Sequence, residues 1–105
     1  MSDYLLPFSS IAWEQSARGA WQKSYSRGNQ RIRLVRFDGD FAEAHWCTNG
    51  HVGYVIKGEM TINFDGTLKK FQAGDGLWIE AGTAHQHKVL MEKGGSVELV
   101  LFEVI

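Results

Sequence analysis

His45, Cys47 and His51 bring two imidazoles and the chain's only thiol close together inside one stretch, Gly39 to Gly58, which reads GDFAEAHWCTNGHVGYVIKG. Imidazole nitrogen and thiolate sulfur are good ligands for a borderline divalent metal. A thiol with a neighbouring histidine as base is also the start of a nucleophile, but no independent sign of an oxyanion hole accompanies it. On a β-strand, His45 and Cys47 point to one face, because the side-chain period is two residues. The loop Thr48-Asn49-Gly50 then decides where His51 points. A two-residue turn at Asn49-Gly50 pairs Thr48 with His51 and turns His51 away. A three-residue loop with Gly50 in the left-handed region sets Cys47 opposite His51, and all three side chains face one way. The sequence admits both loops, and only the longer one gathers the three.

The elements that must hold this stretch are short strands. Turn signals recur at Arg27-Gly28-Asn29, Asp38-Gly39-Asp40, Lys57-Gly58-Glu59, Asp65-Gly66, Gly74-Asp75-Gly76 and Gly94-Gly95-Ser96. Between them lie runs rich in β-branched and aromatic residues: Arg31 to Phe37, Val52 to Ile56, Met60 to Phe64, Leu77 to Ile79, His85 to Leu90 and Val97 to Val104. This pattern predicts an all-β sandwich or barrel. Only Ile11 to Ala20 offers a helical turn. The expected organisation is one domain over residues 1–105, with an N-terminal arm at 1–20 and a barrel at 21–105.

Several strands carry large apolar groups on both faces. Val55 shares the His51 parity while Tyr54 and Ile56 look the other way, and Trp46 points opposite to His45 and Cys47. Something must cover that second face: another sheet, the N-terminal segment with Tyr4, Leu5, Leu6, Phe8 and Trp13, or a second subunit. The expectation is a homodimer.

A formal net charge of -1 provides no basic footprint for nucleic acid. Arg31, Arg33 and Arg36 alternate with Ile32, Leu34, Val35 and Phe37, which reads as a strand with one solvated face or as a source of one contact to a substrate anion. No run approaches a membrane span, and Met1 to Ser10 has neither the basic nor the apolar region of a signal peptide. A single cysteine makes no intrachain disulfide, so the expected compartment is the reducing cytoplasm.

These residues carry a resemblance. The chain is similar to the small single-domain cupins, the type-2, RmlC-like jelly-roll family, whose barrel is an all-β double-stranded β-helix. The family's first motif, G-x5-H-x-H-x3-E-x6-G, falls on Gly39, His45, Cys47, His51 and Gly58 with its spacing kept. The second, G-x5-P-x-G-x2-H-x3-N, falls on Gly74, Glu80, Gly82, His85 and Val89. Cys47 stands where the family has histidine, His51 where it has glutamate, Glu80 for proline and Val89 for asparagine. The resemblance implies a divalent metal held by the matching set His45, Cys47, His51 and His85. With the thiolate such a set suits zinc; three histidines alone also suit iron or nickel.

Four further residues are pocket candidates. His87, two beyond His85, is expected to face the same interior as a pocket residue or an acid/base group rather than as a ligand. Glu43 shares strand parity with His45 and is either a general base or a solvated rim residue. Trp78 and Phe41 line the pocket or belong to the core. Glu80 is expected to cap a turn at the mouth.

Two function classes follow. One is a metal-dependent enzyme acting on a small polar molecule, a dioxygenase or an isomerase. The other is a non-catalytic module that binds a small ligand in the same barrel.

Overall fold

The computed structural model describes residues 4–105, so the first three residues of the expected arm lie outside it. The fold is all-β, with eight strands among the described residues: β1 (Glu14–Ala17), β2 (Ala20–Arg27), β3 (Gln30–Asp38), β4 (His51–Phe64), β5 (Thr67–Gln72), β6 (Gly76–Ile79), β7 (Lys88–Leu90) and β8 (Ser96–Val104). Two short 3-10 turns, Phe8–Ser10 and Thr83–His85, complete the regular structure. No helix forms in Ile11 to Ala20, which instead supplies β1. Once β2 pairs with β3 over its whole length, its free edge offers hydrogen bonds to β1.

Every pairing is antiparallel, and β4 organises them. Its first half, residues 51–58, lies between β8 and β6 and so joins the sheet β1-β2-β3-β8-β4-β6. Its second half, Glu59 to Phe64, lies between β5 and β7. Lys57-Gly58-Glu59, read from sequence as a turn between two strands, is a bend within one 14-residue strand. The β4/β8 register shifts between Val55 and Lys57, and Gly58 holds φ +77°. A Cβ there would fall on the Ser96 carbonyl oxygen, so glycine is required twice over. The bend curls two sheets around one concave interior.

Alternation fills that interior. Val35 pairs with Leu99, which pairs with Val55; Arg33 pairs with Leu101, which pairs with Gly53, itself opposite Leu77. Val35, Val55, Met60, Ile62, Leu77, Ile79, Val89, Val97, Leu99 and Leu101 form the buried cluster. Each fully buried aliphatic side chain contributes ~1.5–3 kcal/mol.

The same registers correct the reading of the arginines. Arg33 faces the concave side with Val35 and Phe37, where it lines the cavity and is only partly exposed. Glu103 on β8 makes the position tenable, accepting bonds from Arg31 Nε at 2.9 Å and from Arg33 Nε and Nη2 at 2.9 and 2.6 Å. Arg36 points outward to Glu98, 3.1 Å away.

Candidate metal centre

Residues 41–50, between β3 and β4, follow no regular strand. Within them only Ala42 and Cys47 form isolated bridges, to Leu90 and His87. The Cys47 N–H donates to the His87 carbonyl at 2.8 Å and the His87 N–H donates back to the Cys47 carbonyl at 3.0 Å. Residues paired in this way present their side chains to one face, so the thiol and the His87 imidazole look into the barrel together. Thr48 runs on beside Gly82, whose N–H it accepts at 2.9 Å, and His51 starts β4 opposite the buried Ile79.

Thr48-Asn49-Gly50 is therefore an extended crossing, and the expected three-residue hairpin loop does not form. Gly50 has no positive φ. Glycine is needed there for room: a Cβ would lie 3.0 Å from both the Ala81 nitrogen and the Ile79 carbonyl oxygen.

Cys47, His51 and His87 come together at the end of this crossing, with one ligand atom from each lying within 4.8 Å of the others. The Cys47 sulfur is 3.7 Å from His51 Nε2, and the His51 and His87 rings meet edge to face at 5.3 Å. Tetrahedral zinc, with bonds near 2.0–2.3 Å, separates sulfur and nitrogen ligands by about 3.5 Å, so the spacing suits a shared ion.

Protonation suits it too. His87, 2% exposed, places Nδ1 3.0 Å from the His85 carbonyl oxygen. A carbonyl only accepts, so Nδ1 carries a proton, and Nε2 is the nitrogen whose lone pair the neutral ring would offer to a metal. His51 is held below its ordinary pKa, first by burial, then by His87 and Arg33, against a smaller opposing pull from Glu103. It is neutral at pH 7, as a ligand must be. Its Nδ1 is buried without a hydrogen-bond partner among the described residues.

The cluster lines a cavity of about 300 Å³ inside the barrel, with Glu43, Asn49, Arg33 and the apolar interior completing the wall. Glu43 is turned inward: its Oε1 accepts the Val89 N–H at 2.8 Å, and its second oxygen has no hydrogen-bond partner among the described residues. Phe41 lines the same cavity, stacked on Phe37 at 4.2 Å.

The other expected residues stand elsewhere. His45 is exposed on a bend, where strand parity has no hold. His85 sits in the 3-10 turn, exposed and 3.6 Å from Glu80. Because residues 83–85 are a turn, His85 and His87 do not share a face, and His87 is the one that points inward. Trp78, between the buried Leu77 and Ile79, is outward and exposed beside Glu80 and His85. Two larger surface hollows, about 550 Å³ beside Phe102 and Val104 and about 450 Å³ beside Trp78 and His85, contain none of the three clustered donors.

A curled antiparallel barrel with donors grouped in its concavity defines the class of protein, and comparison with known proteins gives its family. A sequence profile of the cupin domain matches residues 35–102. The chain belongs to the cupin family. No curated protein sequence matches it.

Solved structures share the fold at low identity. KdgF from Halomonas sp. is 18% identical, with a TM-score of 0.75 over 100% of this chain and 96% of that one. The polyketide cyclase RemF from Streptomyces resistomycificus is 13% identical, with a TM-score of 0.79 over 99% and 80%. A sugar phosphate isomerase from Silicibacter pomeroyi is 13% identical, with a TM-score of 0.78 over 96% and 75%. No helix among the described residues is long and apolar enough to cross a membrane.

Proposed function

We propose that Cys47, His51 and His87 hold a divalent metal ion inside the barrel, and that the protein is a zinc-dependent enzyme of the isomerase or cyclase kind acting on a small molecule in the adjoining cavity. The observation that carries this reading is the convergence of one thiol and two imidazoles within 4.8 Å on the wall of a cavity. Thiolate with two imidazoles favours zinc over iron, and so favours chemistry without dioxygen. Three protein ligands leave a fourth position for substrate or water, which distinguishes a reactive zinc site from a closed structural one. The metal supplies polarisation of a substrate oxygen.

The remaining roles belong to the chain. His85 fixes the His87 tautomer through its carbonyl, the apolar wall limits water, and Glu43 presents one unbonded carboxylate oxygen to the cavity as proton acceptor. The names of two structural neighbours, a polyketide cyclase and a sugar phosphate isomerase, support a rearrangement as the reaction class. A reducing compartment such as the cytoplasm keeps Cys47 a thiol.

The test is metal analysis of tag-free protein purified without added metal, followed by cobalt substitution. Near-equimolar zinc is expected, together with a thiolate-to-cobalt charge-transfer band that Cys47→Ser abolishes. His87→Ala should weaken metal affinity by more than the ~10–100-fold typical of losing an outer-shell partner, while His45→Ala leaves it unchanged. Sub-stoichiometric metal in the wild type sinks the site, and retention of metal by His87→Ala with loss from His45→Ala reassigns it. Ligand-induced melting shifts without turnover would make the protein a binding module.

A further inference from the structure

Arg33 is a charge set into a largely apolar wall, and the way it is held leaves part of it able to bind. Arg31 and Arg33, two apart on β3, share the concave face, and Glu103 stands across from Arg31 on β8. Its carboxylate takes Arg33 side-on, through Nε and Nη2, together with Arg31 Nε. From the other flank Gln22 on β2 accepts from Arg33 Nη1 at 3.2 Å.

A guanidinium has five N–H donors. Three of those on Arg33 are committed, so one remains on each terminal nitrogen, without a partner among the described residues. A pair of terminal N–H groups is what a carboxylate takes in bidentate contact. Because β2 and β8 already fix the side chain, it loses little further rotamer freedom to a ligand.

Two guanidiniums on one carboxylate leave a surplus of one positive charge at this end of the cavity. Arg33 is the one arginine or lysine among the described lining residues, and Glu43 the one carboxylate. Most of the remaining wall is hydrocarbon, with Val35, Ile62, Leu77, Leu99 and Phe41 in it. At about 300 Å³ the cavity stands at the low end of small-molecule pockets, which span ~300–1,000 Å³.

We propose that Arg33 binds the carboxylate of the substrate, and that this substrate is a small monocarboxylic acid with an apolar carbon body. That its reacting oxygen meets the metal rests on the zinc reading above; the Arg33 contact does not. Charge supports a carboxylate over a phosphate. One surplus positive charge matches a monoanion, whereas a phosphate dianion would share the cavity with Glu43 half-neutralised. The wall supports a hydrocarbon body over a sugar, because hydroxyls set against aliphatic groups would be buried without partners.

The test is isothermal titration calorimetry on the protein as purified, with benzoate, hexanoate and 3-phenylpropionate each compared with its amide. At least one acid is expected to bind in the low-millimolar range or tighter, and about 10-fold or more tightly than its amide. Arg33→Gln should erase that preference while keeping the wild-type circular dichroism and zinc content. Should Arg33→Gln fail to fold, its combination with Glu103→Gln carries the same expectation, since no unmatched carboxylate is then buried. The wild-type comparison of acid with amide decides if neither folds. Zinc measured in the same samples keeps the two readings apart: an Arg33-dependent preference in zinc-free protein counts against the metal alone and supports this assignment. Equal binding of acid and amide, no acid bound at millimolar concentration, a preference retained by folded Arg33→Gln, or glucose 6-phosphate bound more tightly than every acid would overturn it.

Discussion

His87 owes its place to two backbone hydrogen bonds with Cys47, and nothing in its own neighbourhood of the sequence announces them. Parity along a strand brings residues 45 and 47 to one face only where a strand exists, and residues 41–50 are held by isolated bridges. Cys47 and His51 do meet, by an extended crossing rather than by the hairpin that the glycine at position 50 suggested. The stretch was legible as a concentration of donors. Their true partner was not, because His85 and His87 are equivalent until the turn at 83–85 separates them.

Glu103 is the other residue whose role depends on distant strands. Burial pushes its carboxyl up, but bonds from Arg33 and Arg31 outweigh that, and its pKa ends below the ordinary glutamate value. A carboxyl lowered in this way adds stability that is complete above the unfolded pKa near 4.3 and is lost as pH falls through the lower folded value. Glu103→Gln should therefore cost about 1–3 kcal/mol at pH 7. The gap between variant and wild type in thermal melts should close below about pH 4. A gap independent of pH would mean the loss is one of packing.

At the scale of elements, β4 does the work of two strands because it bends at Gly58. Gly58→Ala brings both a left-handed backbone penalty of ~1–2 kcal/mol and a collision with the Ser96 carbonyl. The expected outcome is a loss of well over 2 kcal/mol in denaturant melts, above what a neutral Gly→Ala exchange gives. An unchanged midpoint would show that the bend has another cause.

The strands themselves were largely legible, since alternation of β-branched and apolar residues marks β3, β6 and β8 closely. Less legible were the edge strand β1 and its neighbour β2, whose Glu, Gln, Lys and Ser content hides them. Gly58 read as a turn because a bulge and a turn call on the same residue.

Across the whole molecule, β4 and β8 tie together strands that lie far apart in the chain. β8 lies between β3 and β4, and β4 touches β5, β6, β7 and β8. Opening β4 opens both sheets and strips β8 of a partner, so the amides of β3, β4 and β8 should exchange with solvent at one rate set by global unfolding. Those of β1, bonded on one side only, should exchange fastest. Native-state exchange read by mass spectrometry would show several separate rates among β3, β4 and β8 if the sheets open independently.

The central seat of β8 also bears on how the protein is born. Until Ser96–Val104 has been synthesised, β3 and β4 each present a bare edge, and the nascent chain carries both without a partner. Assembly of the large sheet waits for β8, and until it arrives the growing chain carries two strand edges open to wrong pairing.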